Sequence, residues 1–157
     1  MKYVRAVWES GGFFLDPTAY LAILPTLCAK LPPGAWAFAS DPAHYDMGHG
    51  NGRCVKDLEL SGIRVVTDKS GELVLEFAPS RWKHDAGLRL RYSGVEHFAI
   101  DYECSIDWME ADTVLLDEIL PAGGSGFTHE IALTDASITV RAADLQAEWT
   151  TTPDGSL

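Results

Sequence analysis

Two imidazoles, a carboxylate and a thiol fall within eleven residues of this chain: His44, Asp46, His49 and Cys54, in the run His44-Tyr45-Asp46-Met47-Gly48-His49-Gly50-Asn51-Gly52-Arg53-Cys54. Borderline metals such as Zn²⁺ take these donor types, so a small metal-dependent hydrolase built on residues 44–54 is one reading. The spacing fits no established zinc pattern, and Cys54 opens a strand-like run whose parity is set by packing. The plainer reading of the segment is a mobile or partner-contacting loop, and no cofactor or metal is called. Other chemistry is thinner still. Gly124-Ser125-Gly126 sits in a glycine-rich connection before a strand, not between a strand and a helix as a nucleophile elbow requires. His129-Glu130 lacks a second histidine one helical turn on. Phosphate-cradling glycine motifs are absent, and a glycosidase-type carboxylate pair has no specific signal.

Charge is the feature above background. No Lys or Arg occurs from Tyr92 through Val140, a stretch holding ten acids: Glu96, Asp101, Glu103, Asp107, Glu110, Asp112, Asp117, Glu118, Glu130 and Asp135. Asp101 and Glu103 alternate with Ile100, Tyr102 and Cys104, so on a strand both carboxylates point away from the apolar side. The expectation is a solvated negative surface, relieved by water, counter-ions or a basic partner. Calcium at Asp107, Glu110 and Asp112 lacks the twelve-residue loop of an EF-hand. Trp82 and Trp108 are flanked by charges, which favours partial exposure and an anchoring role at an interface. The candidate partner-binding residues are therefore Glu96, Asp101, Glu103, Asp107, Trp108, Glu110 and Asp112.

The whole chain has 157 residues and a formal charge of −11, with a pI near 4.7. That excludes most nucleic-acid binders, which need clustered Lys and Arg. A composition of 46% hydrophobic and 22% charged residues is that of a globular domain, and the length suits one. No signal peptide or transmembrane run is legible. Cys28, Cys54 and Cys104 are odd in number and far apart, which fits reduced thiols and a cytoplasmic address.

The elements that must position these residues divide at about residue 52. Residues 1–52 contain Asp16-Pro17, an N-cap followed by proline at the first helical position. Tyr20, Leu21, Leu24, Leu27, Cys28 and Leu31 then follow at helical spacing. One helix over about 17–30 is expected, kinked or split by Pro25. A short strand over 35–39 and a loop over 40–52 follow. Residues 53–149 show period-2 alternation in seven or eight runs, with a one-residue slip at Ser61-Gly62 that marks a β-bulge. Residues 150–157 read as a flexible tail. The fold class expected is mostly β (α+β): an antiparallel sandwich or strongly curved sheet of seven to eight strands with one N-terminal helix, all in a single domain.

Several runs together resemble a group of small bacterial β-rich domains, part of which is similar to the immunity proteins of polymorphic toxin systems. They are Val55-Lys56-Asp57-Leu58-Glu59-Leu60, Leu73–Phe77, Leu88–Val95 with Phe98, His129–Leu133, and Ile138-Thr139-Val140 with Asp144-Leu145. The resemblance covers about residues 54–149. It departs where the group tends to carry His-Asp and this chain has Lys56-Asp57, and it transfers no functional residue. It implies a non-enzymatic domain that occludes a toxin, and the acidic stretch implies that the partner is a cationic protein rather than nucleic acid or membrane. A structural domain that self-associates through a strand edge or an aromatic patch is the third reading.

Overall fold

Ser10 and Gly11 take left-handed backbone conformations, with φ of 50° and 87°, the two-residue turn whose twist suits a β-hairpin. They join β1 (Arg5–Glu9) to β2 (Gly12–Asp16), in register from Arg5↔Asp16 to Glu9↔Gly12. The structure is a computed structural model that describes residues 1–48, 50–102 and 113–151. In it this hairpin is a two-stranded sheet of its own.

The hairpin leads directly into helix α1 (Thr18–Ile23), where Asp16 Oδ1 accepts the Thr18 N–H at 2.9 Å. Instead of one helix over 17–30, the chain tightens into a 3₁₀ turn at Leu24–Leu27. Pro25 has no N–H to continue the α-helical ladder, which accounts for the break. A second helix, α2 (Pro33–Ala39), replaces the strand expected at 35–39. Proline at its first position loses nothing there, and the exposed N–H groups of its first turn are taken by a residue far along the chain. Asp144 accepts Gly34 N at 3.2 Å and Ala35 N at 3.0 Å. Only glycine fits at that approach: a Cβ on Gly34 would lie 1.8 Å from the carbonyl oxygen of Leu145.

The remaining eight strands form two four-stranded antiparallel sheets. The first contains β3 (Glu59–Val66), β4 (Glu72–Ala78), β5 (Ala86–Ser93) and β10 (Asp144–Thr151), in the order β10-β5-β4-β3. The second contains β6 (His97–Tyr102), β7 (Val114–Pro121), β8 (Phe127–Leu133) and β9 (Ala136–Ala142), in the order β6-β9-β8-β7. The protein is thus mostly β, with ten strands among the described residues where seven or eight were expected and two short helices where one was. The slip at Ser61-Gly62 is present as a register shift between Leu60 and Gly62. The last strand runs through Thr151, two residues into the segment read as a tail; residues 152–157 lie outside the described residues.

The chain passes from one sheet to the other after β5 and again after β9. The two passages touch: Ala143 N donates to Ser93 O at 2.9 Å, and Gly94, at φ 60°, has no room for a Cβ beside that of Ala143. Leu75, Leu90 and Tyr92 of the first sheet share one buried apolar cluster with Ile131, Ile138 and Val140 of the second, together with Phe38, Leu24 and Leu27 from the helical part. Each such fully buried side chain contributes about 1.5–3 kcal/mol. Among the described residues no helix is long and apolar enough to cross a membrane.

Candidate functional site

Within this apolar core lies a polar cluster. On β8 the residues of one parity, Phe127, His129, Ile131 and Leu133, are all buried, so His129 occupies a position that the alternation reserves for a hydrophobe. Asp117 pairs with Ile131 across β7 and β8 and shares that face. A tight turn after α2, closed by the His44 N–H to Asp41 O bond at 3.0 Å, delivers His44 to the same place. Asp117 Oδ1 lies 2.7 Å from His44 Nε2, and Oδ2 lies 2.7 Å from His129 Nε2. Tyr92, from β5 of the other sheet, reaches His129 Nδ1 at 2.8 Å, and His44 Nδ1 faces Phe38 O at 2.9 Å.

The partners assign the protons. Phe38 O only accepts, so His44 Nδ1 carries a hydrogen. Burial works to raise Asp117, but the charge of His44 and the hydrogen bonds from His129 and His44 outweigh it, and the carboxyl is held well below the usual range. With Asp117 ionised, both Nε2 atoms donate to it, which makes His44 an imidazolium. Burial, and after it the charge of Asp117, push the Tyr92 hydroxyl up, so Tyr92 donates to Nδ1 of His129 and that ring is neutral. One cation and one anion remain, fully hydrogen-bonded, and among the described residues no buried side-chain polar atom lacks a partner.

This network is sealed. His44, Asp117 and His129 are all at most 1% exposed. The cavity beside Asp117 and His129, walled by Phe38, Leu58, Leu88 and Val114, has a volume of about 10 Å³, room for one water at most. The hydroxyl that meets His129 is that of Tyr92, which burial keeps protonated, and the cavity leaves no room for a substrate. What the arrangement does is fasten the α2–β3 connection, the first sheet and the second sheet to one carboxylate.

The neighbouring Glu118 points to the opposite face of β7. It is also buried, and its two oxygens accept the backbone N–H groups of Lys2, Tyr3 and Val4 at 2.6, 2.6 and 2.8 Å. Across the strand pair, Glu130 receives the amino group of Met1 at 2.5 Å. The expectation that the acids between Tyr92 and Val140 form one solvated face is therefore corrected for three of them. Asp117 and Glu118 lie inside the protein, and Glu130 is neutralised. Of the candidate partner-binding residues, Glu96 pairs with Arg141 at 3.1 Å, and Asp101 is exposed on β6 opposite Ser137. Glu103, Asp107, Trp108, Glu110 and Asp112 lie outside the described residues.

The 44–54 segment is not one site either. His44 has both nitrogens engaged in the core and is not on the loop surface. Asp46 is exposed and accepts Gly48 N. Cys54 is fully buried, its carbonyl accepting from His84 Nε2 at 2.8 Å, and burial pushes its thiol up, away from the thiolate a metal would need. His49 lies outside the described residues. Among the described residues no three His, Cys, Asp or Glu side chains are grouped to hold a metal ion.

The surface offers aromatics instead. Trp8 is 64% exposed and packs edge-on against Phe13 on one face of the β1–β2 hairpin, while Val7 and Phe14 are exposed on the other. Trp82, whose flanking charges pointed to partial exposure, is 96% exposed. In the sequence the signal for this hairpin is Ser10-Gly11-Gly12 between two aromatic runs. Comparison with protein-family models gave no match, and comparison with curated proteins gave none.

Proposed function

We propose that this chain is a non-enzymatic protein-binding domain whose partner is a cationic protein, in the manner of an immunity protein occluding a toxin domain in the bacterial cytoplasm. In this reading the two four-stranded sheets are the layers of an antiparallel sandwich, and the β1–β2 hairpin is its binding element. The observation that carries it is the hairpin itself. Trp8, Phe13, Phe14 and Val7 expose apolar surface on both faces of a two-stranded ribbon, a form marginally stable alone in water. Exposed aromatics on a short ribbon are the residue types that dominate binding energy at protein interfaces. The formal charge of −11 selects a basic partner and speeds its encounter. The sealing of His44, Asp117 and His129 from solvent supports a role at the surface over catalysis in the core.

The test is capture of proteins from the native host on immobilised chain, at low and high salt, with Trp8→Ser/Phe14→Ser as comparison. A basic protein retained at low salt, weakened by high salt and lost from the double variant is the expected result. Retention of no cationic protein under either condition overturns the proposal, and retention of only a second copy of this chain replaces it with self-association.

A further inference from the structure

Between α1 and the turn that follows α2 lies a groove of about 250 Å³, walled by Leu21, Leu24, Ala39, Pro42 and Tyr45. It is open to solvent and falls short of the roughly 300–1,000 Å³ of sites that enclose a whole small molecule, but it has room for a long side chain laid along it. Leu21 is 43% exposed there, a large apolar surface that an incoming chain would cover.

Two carboxylates, Asp41 and Asp46, also line the groove. Each commits Oδ1 to a backbone N–H, from Ala43 at 2.8 Å and from Gly48 at 3.1 Å respectively, which fixes the carboxylate in place. Among the described residues neither has an ion-pair partner. Glu72, Glu76, Glu96 and Glu148 each lie beside an arginine of the chain itself; Asp41 and Asp46 differ from the other unpaired acids in lining one apolar groove together. An apolar trough with two fixed, uncompensated negative groups is complementary to a cation on a hydrocarbon stem.

We propose that this groove is the socket for an arginine side chain of the protein partner, its methylenes against Leu21, Leu24 and Tyr45 and its guanidinium at Asp41 and Asp46. Arginine fits better than lysine because its planar fork carries five donors, enough to serve two carboxylates, and it is less strongly hydrated than an ammonium. The proposal rests on the protein-binding reading above and gives that reading a specific contact. The hairpin connects directly to α1, whose Leu21 forms one wall of the socket.

The test uses the ¹⁵N-labelled chain titrated with the tripeptide acetyl-Ala-Arg-Ala-amide and with its citrulline analogue, which has the same shape and no charge. Amide shifts at Leu21, Ala39, Tyr45 and Asp46 should saturate with the arginine peptide about threefold or more tightly than with citrulline. Asp41→Asn/Asp46→Asn should erase that difference, while Asp101→Asn leaves it. Equal responses to the two peptides, or shifts confined to other surfaces, overturn the socket. The failures are separable. If a basic protein is still captured through the hairpin with undiminished strength by Asp41→Asn/Asp46→Asn, the socket is wrong and the binding domain stands. If no basic protein is captured by the unaltered chain, the binding reading itself fails.

Discussion

Asp117 and His44 meet 2.7 Å apart in the centre of the protein, an ion pair with no exposure to solvent, joining residues 73 positions apart. Buried pairs of this kind are weak guides to net stability, since their desolvation offsets much of their attraction, but removing one partner leaves an uncompensated charge. Asp117→Ala should therefore lower unfolding free energy by about 3–5 kcal/mol in chemical denaturation. His44→Ala, which strands the carboxylate, should cost a similar amount. A double variant costing much less than the sum of the two would show that the loss is that of a pair.

The same carboxylate sets an acid limit. Unfolded, Asp117 takes up its proton near the ordinary value of 3.8; folded, it is held well below that. Its contribution is complete above the unfolded value and is lost as pH falls below about 4, where the unfolded chain binds the extra proton. The stability gap between the unaltered protein and Asp117→Asn should shrink as pH falls from about 4 to about 2. A gap that widens toward acid would contradict the ionised assignment.

Gly34 should tolerate no side chain. A Cβ there would meet the Leu145 carbonyl, so Gly34→Ala must displace α2 from β10 and release the N–H groups held by Asp144. The expected loss is about 2 kcal/mol or more, in the range of overpacked cores. Gly123→Ala, with open space around it, serves as the near-neutral control in the same thermal melts.

Thiol labelling separates the two described cysteines. Cys28 is exposed, whereas Cys54 is buried with its thiol pushed up. A thiol reagent under native conditions should modify Cys28 and leave Cys54 untouched until the protein is unfolded, as peptide mapping would show. Native modification of Cys54 would contradict its packing.

Much of the sheet framework was legible in the sequence because it depends on local alternation. Leu73, Leu75 and Phe77, or Leu88, Leu90 and Tyr92, repeat at period two, and the slip at Gly62 displays its own bulge. The helical part was harder. Pro33 beside Gly34 is a local helix-start signal, but it follows another proline and precedes a glycine, and the cap that holds the first turn is Asp144, 110 residues away. The central cluster was half visible: His129 stands among buried hydrophobes of its own parity, a pattern open to a sequence reader. Asp117 and Glu118 were not visible, because a register shift between Val114 and Leu116 and cover on both sides of β7 make every residue from Val114 to Ile119 buried. A run of acids reads as surface unless their partners, here two histidines and the backbone of residues 2–4, are known.

The histidines and Asp117 lie in a structural core and the proposed binding surface lies on the hairpin, and one comparison addresses both. Titration calorimetry of the basic protein retained from the host would measure its affinity for three forms, all at a temperature where each is folded: the unaltered chain, Trp8→Ser/Phe14→Ser and Asp117→Asn. The expected result is loss of binding by about 2 kcal/mol or more in the hairpin variant, with Asp117→Asn binding as the unaltered chain does. Full affinity in the hairpin variant together with lost affinity in folded Asp117→Asn would contradict the account.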